Sequence, residues 1–195
     1  MPLWSILILV FLVAGIVGGI FYYFRIYTYN YTFKINKSDS ETPFHYGPIT
    51  ALANSNYFSQ VKSEFISEKA NFIEADLSEM IVRVYKDGER VKEVPILTKG
   101  REGSWWETPA GVYKIESKAS NHFSSIGHVY QPYSMAFQGN FFIHGWPYYR
   151  DGTKVATTYS GGCIRLSTED AKAVYDLASI GMPILVFEKD FMNDY

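Results

Sequence analysis

The stretch MIVRVYKDGERVKEVPIL, residues 80–97, commits its part of the chain to an antiparallel hairpin. Two runs rich in β-branched residues flank Lys86-Asp87-Gly88-Glu89. Asp-Gly is the dipeptide preferred where both central residues of a tight hairpin turn need positive φ. Short strand-like segments recur downstream, GVYKIES (111–117), SMAFQ (134–138), NFFIHG (140–145) and PILVF (183–187), punctuated by Gly and Pro. One helix is indicated after residue 166. Ser167 can cap it, Asp170 takes the capping-box position, and Ala171, Val174, Leu177 and Ala178 line one face. Gly181 and Pro183 then end it. Many short strands and one helix predict a mainly-β domain, a sandwich or a partly closed barrel.

The N-terminal third reads differently. Residues 3–24, LWSILILVFLVAGIVGGIFYYF, carry no charge. At about 1.5 Å per residue the run is long enough to cross a hydrocarbon core of roughly 30 Å. Trp4 at one end and Tyr22 and Tyr23 at the other suit the two interfaces. A cleavable leader would begin with basic residues and end on small ones, and neither is present, so residues 1–25 are expected to form an uncleaved transmembrane anchor. Residues 26–70 read as a linker: YTYNYTFKI alternates like a half-buried strand, and Tyr57, Phe58, Val61, Phe65 and Ile66 share one face of a short amphipathic helix. The main domain is expected over 71–190. Arg25, Lys34 and Lys37 would hold the side after the span in the cytoplasm, but this bias is small. With 18 Lys and Arg against 20 Asp and Glu, no basic excess points to a nucleic-acid partner.

Chemistry is concentrated around one thiol. Cys163 is the only cysteine, which excludes an internal disulfide, and it sits in YSGGCIRL, residues 159–166. A thiol used as a nucleophile needs a base within reach and backbone N–H groups aimed at the attacked carbonyl. Gly161 and Gly162 keep side chains off such N–H groups. The available bases are His45, His122, His128 and His144. His144 is the best placed, since it ends the apolar run NFFIH and opens into a loop at Gly145. Inert packing of the thiol and a zinc site built from His122, His128, His144 and Cys163 are the other readings. The zinc reading lacks H-E-x-x-H or C-x-x-C spacing, which counts against a metal site.

Taken together, His144, a spacer of fifteen residues (145–159) and Ser160-Gly161-Gly162-Cys163-Ile164-Arg165 resemble the signature of the L,D-transpeptidase catalytic domain, the YkuD domain. Its opening hairpin is similar to residues 73–100, and its T-P-x-G-x-[FY] segment is similar to Thr108–Tyr113. The resemblance covers about residues 71–188. It implies Cys163 as nucleophile and His144 as general base and acid. It also implies that the Gly145 carbonyl orients His144, and that the Gly162 and Cys163 N–H groups form the oxyanion hole. Ser160 and Arg165 fall on motif positions that shape the site or contact substrate, and Arg165 could equally brace its loop through carbonyl contacts. The motif's second histidine is replaced here by Gly161.

The resemblance further implies the reaction. Cys163 forms a thioester with the third residue of a peptidoglycan tetrapeptide stem and expels D-Ala. The thioester passes to an amine, giving a 3→3 cross-link, or to water, as in a carboxypeptidase. It implies acylation by carbapenems and a catalytic domain on the outer face of the cytoplasmic membrane. A peptidoglycan-binding module without turnover is the rival reading, with Gly161 as its sign. The segment HFSSIGHVYQPYS, residues 122–134, is expected as a lid, with Tyr130 or Tyr133 touching substrate. Trp146, Tyr148, Tyr149 and Tyr159 could wall a groove.

Overall fold

The computed structural model describes Trp4 and residues 47–48, 55–157 and 159–189. The chain divides into two compact units, residues 1–43 and 44–195, and both sheets belong to the second. Apart from Trp4, the expected span over 3–24 lies outside the described residues, as does the expected strand YTYNYTFKI. No helix of the described residues is long and apolar enough to cross a membrane.

The 80–97 segment forms the expected hairpin. Strand β3 (Ile81–Lys86) pairs antiparallel with β4 (Glu89–Pro95), and the turn places Asp87 at φ +50° and Gly88 at +78°. Eight further strands complete two sheets. The larger has the order β1 (Gly47–Pro48), β5 (Gly111–Lys114), β10 (Pro183–Phe187), β2 (Phe72–Asp76), β3 and β4. The smaller has the order β6 (Ser117–Ser124), β7 (Val129–Gln138), β8 (Phe141–His144) and β9 (Ile164–Arg165). The core lies between them: Ile73, Val82, Val84, Ile184 and Val186 of the first sheet meet Met135, Phe137, Ile143 and Ile164 of the second. This is the sandwich alternative. Both sheets keep open edges, so no closed barrel forms. Single bridges at Thr98–Arg165 and Gly100–Ser160 tie the segment after β4 to the region of β9.

Strand β2 is buried at all five positions, because its outer face is covered too. Helix α1 (Ser55–Ser67) lays Phe58, Val61 and Phe65 on that face, with Phe58 stacked on Phe187 and Phe65 edge-on to Phe72. The carboxylate this arrangement buries, Glu74, is satisfied by Lys62 (2.8 Å), Arg83 (3.0 Å) and the Tyr85 hydroxyl (2.9 Å). A buried carboxylate is tolerated only when its oxygens are taken up in this way.

Helix α2 (Thr168–Leu177) follows the cysteine segment. The Asp170 N–H donates to Ser167 Oγ at 3.0 Å, and that hydroxyl donates to the Asp170 carboxylate, so the cap is reciprocal. The helix ends at Leu177, four residues before Gly181. Ala178 leaves the helical region at ψ 148°, although its N–H still reaches the Val174 carbonyl. Gly181, at φ +84°, serves the turn into β10 instead.

Candidate active site

The register of a single strand pair brings the two motifs together. Strands β8 and β9 run parallel, with Ile143 opposite Ile164 and His144 opposite Arg165, and the Leu166 N–H closes on the His144 carbonyl at 2.9 Å. Ile143 and Ile164 are fully buried, so the apolar core holds the register. His144 and Cys163 consequently face one cavity of about 340 Å³.

The His144 ring is fully buried, and its Nδ1 lies 2.6 Å from the Gly145 carbonyl oxygen. A carbonyl only accepts, so Nδ1 carries the proton and Nε2 presents a bare lone pair. Nε2 has no hydrogen-bond partner. Burial pushes the imidazole pKa down to about 4, with nearby Arg165 and His122 adding to the fall and the Gly145 carbonyl opposing it. Burial likewise pushes the Cys163 thiol up to about 11, against the pull of the Phe142 N–H and Arg165. The resting pair is therefore a neutral thiol beside a neutral imidazole. The S–H is directed at the Asn140 carbonyl, 3.7 Å away. Proton transfer to His144 requires the thiol to exchange that partner for Nε2.

The loop carrying the thiol is held from behind. Thr108, of the TPAG segment, accepts from the Gly100 N–H and donates to the Gly162 carbonyl, both at 2.9 Å. The buried Ser160 hydroxyl donates to the Cys163 carbonyl. Gly162 adopts φ +96°, and a Cβ there would sit 2.2 Å from the Phe141 ring. Gly161 differs: a Cβ there meets nothing within 4 Å. Thr108→Val is expected to strand the buried Gly100 N–H and cost about 1–3 kcal/mol, measured by denaturant unfolding, while Thr108→Ser stays near wild type.

Arg165 lines the cavity while its guanidinium braces the preceding loop, through Thr157 Oγ1 (3.0 Å) and the Tyr159 carbonyl (3.1 Å). Its Nε is buried without a partner. Ser160 points into the loop rather than into the cavity. Tyr130, Tyr133 and Trp146 also lie off the cavity wall. Tyr130 stacks on Tyr148. Tyr133 and Trp146 line a separate open depression with Tyr148, and the Trp146 indole N–H is spent on the Val155 carbonyl. The expected lid segment does form one wall of the cavity, but through His122 to Gly127, Val129 and Gln131. Trp106, Asn140 and Phe142 line it as well. Of these, only His122 carries a chemical type that sequence reading flags; the others become neighbours only once β6, β7 and β8 pair. Among the described residues, no group of three His, Cys, Asp or Glu is arranged to hold a metal.

The family model for the L,D-transpeptidase catalytic domain matches residues 70–186. No curated protein sequence matches the chain significantly. Among solved structures, the chain is similar to an L,D-transpeptidase from Stackebrandtia nassauensis, with 25% identity and a TM-score of 0.53 over 64% of this chain and 58% of that one. It is similar to an L,D-transpeptidase from Mycobacterium tuberculosis H37Rv at 25% identity and a TM-score of 0.50, covering 61% of this chain and 58% of that one. An L,D-transpeptidase solved in complex with imipenem shares the fold, at 22% identity and a TM-score of 0.51 over 60% and 58% of the two chains. The chain thus spans less than two thirds of the length of these solved relatives.

Proposed function

The chain belongs to the L,D-transpeptidase catalytic domain family, and from that premise we propose that it is a cysteine acyltransferase acting on peptidoglycan stem peptides. One observation carries the reading. The Gly145 carbonyl fixes the His144 tautomer, so a bare Nε2 faces the cavity that also holds the chain's only thiol.

In the proposed reaction His144 Nε2 takes the Cys163 proton as sulfur attacks the carbonyl of the stem's third residue. The oxyanion that forms is received by the N–H groups of Gly162 and Cys163. What supports this is the turn itself, whose two carbonyls are tied away to Thr108 and Ser160. The C–N bond breaks, His144 returns its proton to the departing D-alanine amine, and a thioester remains on Cys163. An amine of a neighbouring stem attacks the thioester and restores the thiol, leaving a 3→3 cross-link; water in its place gives a carboxypeptidase product. Arg165, with its unpartnered Nε, is proposed to hold a substrate oxygen, and no metal or cofactor takes part. The uncharged run 3–24 supports a single-pass anchor in the cytoplasmic membrane, with residues 26–70 as linker and 71–190 as the catalytic domain on the outer side, where such a substrate lies.

The test is covalent. Imipenem is expected to add one acyl group to the wild-type chain by intact mass and none to Cys163→Ser. Absence of the adduct on the wild type, with stem-peptide binding retained, would replace the enzyme by a binding module. Appearance of 3→3 dimers among the muropeptides of expressing cells separates cross-linking from hydrolysis. The pH dependence follows from the two groups. His144 accepts a proton only above its pKa of about 4, and Cys163 needs that help only below its own, about 11. Acylation rates measured from pH 3 to 10 are therefore expected to stay on a plateau above pH 5 and to fall on acidification toward pH 4 and below.

A further inference from the structure

The Cys163 cavity contains polar equipment that the acyl-transfer steps leave unused. Strands β6 and β7 pair with His122 directly opposite Gln131, so both side chains stand on one face of the hairpin. Both line the cavity. Gln131 is 8% exposed, and its Oε1 is buried with no partner, a cost a protein rarely bears without a ligand to relieve it. His122 is held flat against Phe142, ring centroids 4.9 Å apart, which leaves its nitrogens without a hydrogen bond among the described residues. The lining includes no Asp or Glu that could accept from it. Across the cavity Gly161 leaves open space where the signature places an imidazole.

We propose that His122 and Gln131 together read the backbone of one residue of the donor stem, His122 donating an N–H to its carbonyl and the Gln131 Oε1 accepting its N–H. The pair is a donor beside an acceptor, which matches the N–H and C=O that one residue of an extended peptide presents along the same edge, and not a carboxylate, which only accepts. His122 thereby supplies from the lid the second imidazole that position 161 lacks. This inference rests on the proposed stem-peptide substrate.

The test uses the full chain carrying Cys163→Ala, so that binding is read without turnover. A tetrapeptide stem ending in D-alanine is titrated by calorimetry. His122→Leu and Gln131→Leu are each expected to weaken binding about tenfold. Their combination is expected to weaken it by less than the product, because the hold on one residue is lost either way. His122→Gln, which keeps an N–H donor, is expected to bind within about threefold of the parent, and adding Gly161→His to His122→Leu to recover most of the loss. Unchanged affinity in both leucine variants overturns the proposal. So does a loss that His122→Gln shares, or that tracks a fall in melting temperature. An ester analogue lacking the amide N–H is expected to bind the Gln131→Leu variant as well as the parent; a difference between them counts against the pairing. If the Cys163→Ala chain binds no stem peptide, the pair has no such role. Imipenem acylation of the wild type then decides separately whether the acyltransferase reading stands.

Discussion

His144→Ala is expected to slow acylation by imipenem at pH 7 on the order of a thousandfold or more, and to convert a flat pH profile into a sloping one. With the thiol at about 11, its ionised fraction at pH 7 is roughly one in ten thousand. On the proposed mechanism the wild type does not depend on that fraction, because Nε2 would take the proton during attack. Once the imidazole is removed, only preformed thiolate reacts, so the rate should climb about tenfold per pH unit from 7 to 10. The measurement is stopped-flow acylation followed by intact mass. A variant that loses activity but keeps the plateau would mean that His144 is not the base. Combining His144→Ala with Cys163→Ser should remove no more activity than Cys163→Ser alone, since the two act as a unit.

Gly162→Ala is the substitution expected to do most damage to the fold of the site. The added methyl meets two independent obstacles. It would stand 2.2 Å from the Phe141 ring and 3.2 Å from the Trp106 carbonyl, and φ +96° is a conformation L-residues rarely hold. Overpacking and backbone strain of this kind cost about 1–3 kcal/mol each. A loss near 3 kcal/mol in denaturant unfolding is expected, together with at least a hundredfold drop in acylation as the turn shifts. Adding Phe141→Ala relieves the clash but not the strain, so activity should return only in part. Gly161→Ala is the matched control: its methyl enters open space, and stability should change by less than about 0.5 kcal/mol.

Much of this was legible in the sequence where the signal is local. Asp87-Gly88 and the Ser167 cap are decided by a few adjacent residues, and the structure realises both. The order of His144 and Cys163 in their motifs was legible too, because fixed spacing survives without knowledge of the sheet. The choice between sandwich and barrel was not, since it depends on which edges stay unpaired, a long-range matter. The helix end was misplaced because Gly181 is a strong stop signal that serves a later turn. Which aromatic residues line the Cys163 cavity was not legible either, for a related reason. Tyr130, Tyr133 and Trp146 flank the motifs in sequence yet do not line the cavity, while Gln131, next to Tyr130 on the same strand, does, and Trp106 arrives from a distant segment.

The excursion between the two catalytic segments has a mechanical meaning. Residues 146–159 leave β8 and return at β9, with Tyr148 clipped to Tyr130 and to Lys154. Its tip, Arg150 to Gly152, is exposed. The relative position of His144 and Cys163 is stored in the β8–β9 ladder and the packing beneath it, so the covalent thread joining them is redundant once the domain has folded. A single tryptic cut after Arg150 should leave two fragments that migrate as one particle and still take up imipenem. The same redundancy makes this tip the natural place to divide the gene product into two halves, each inert until they meet.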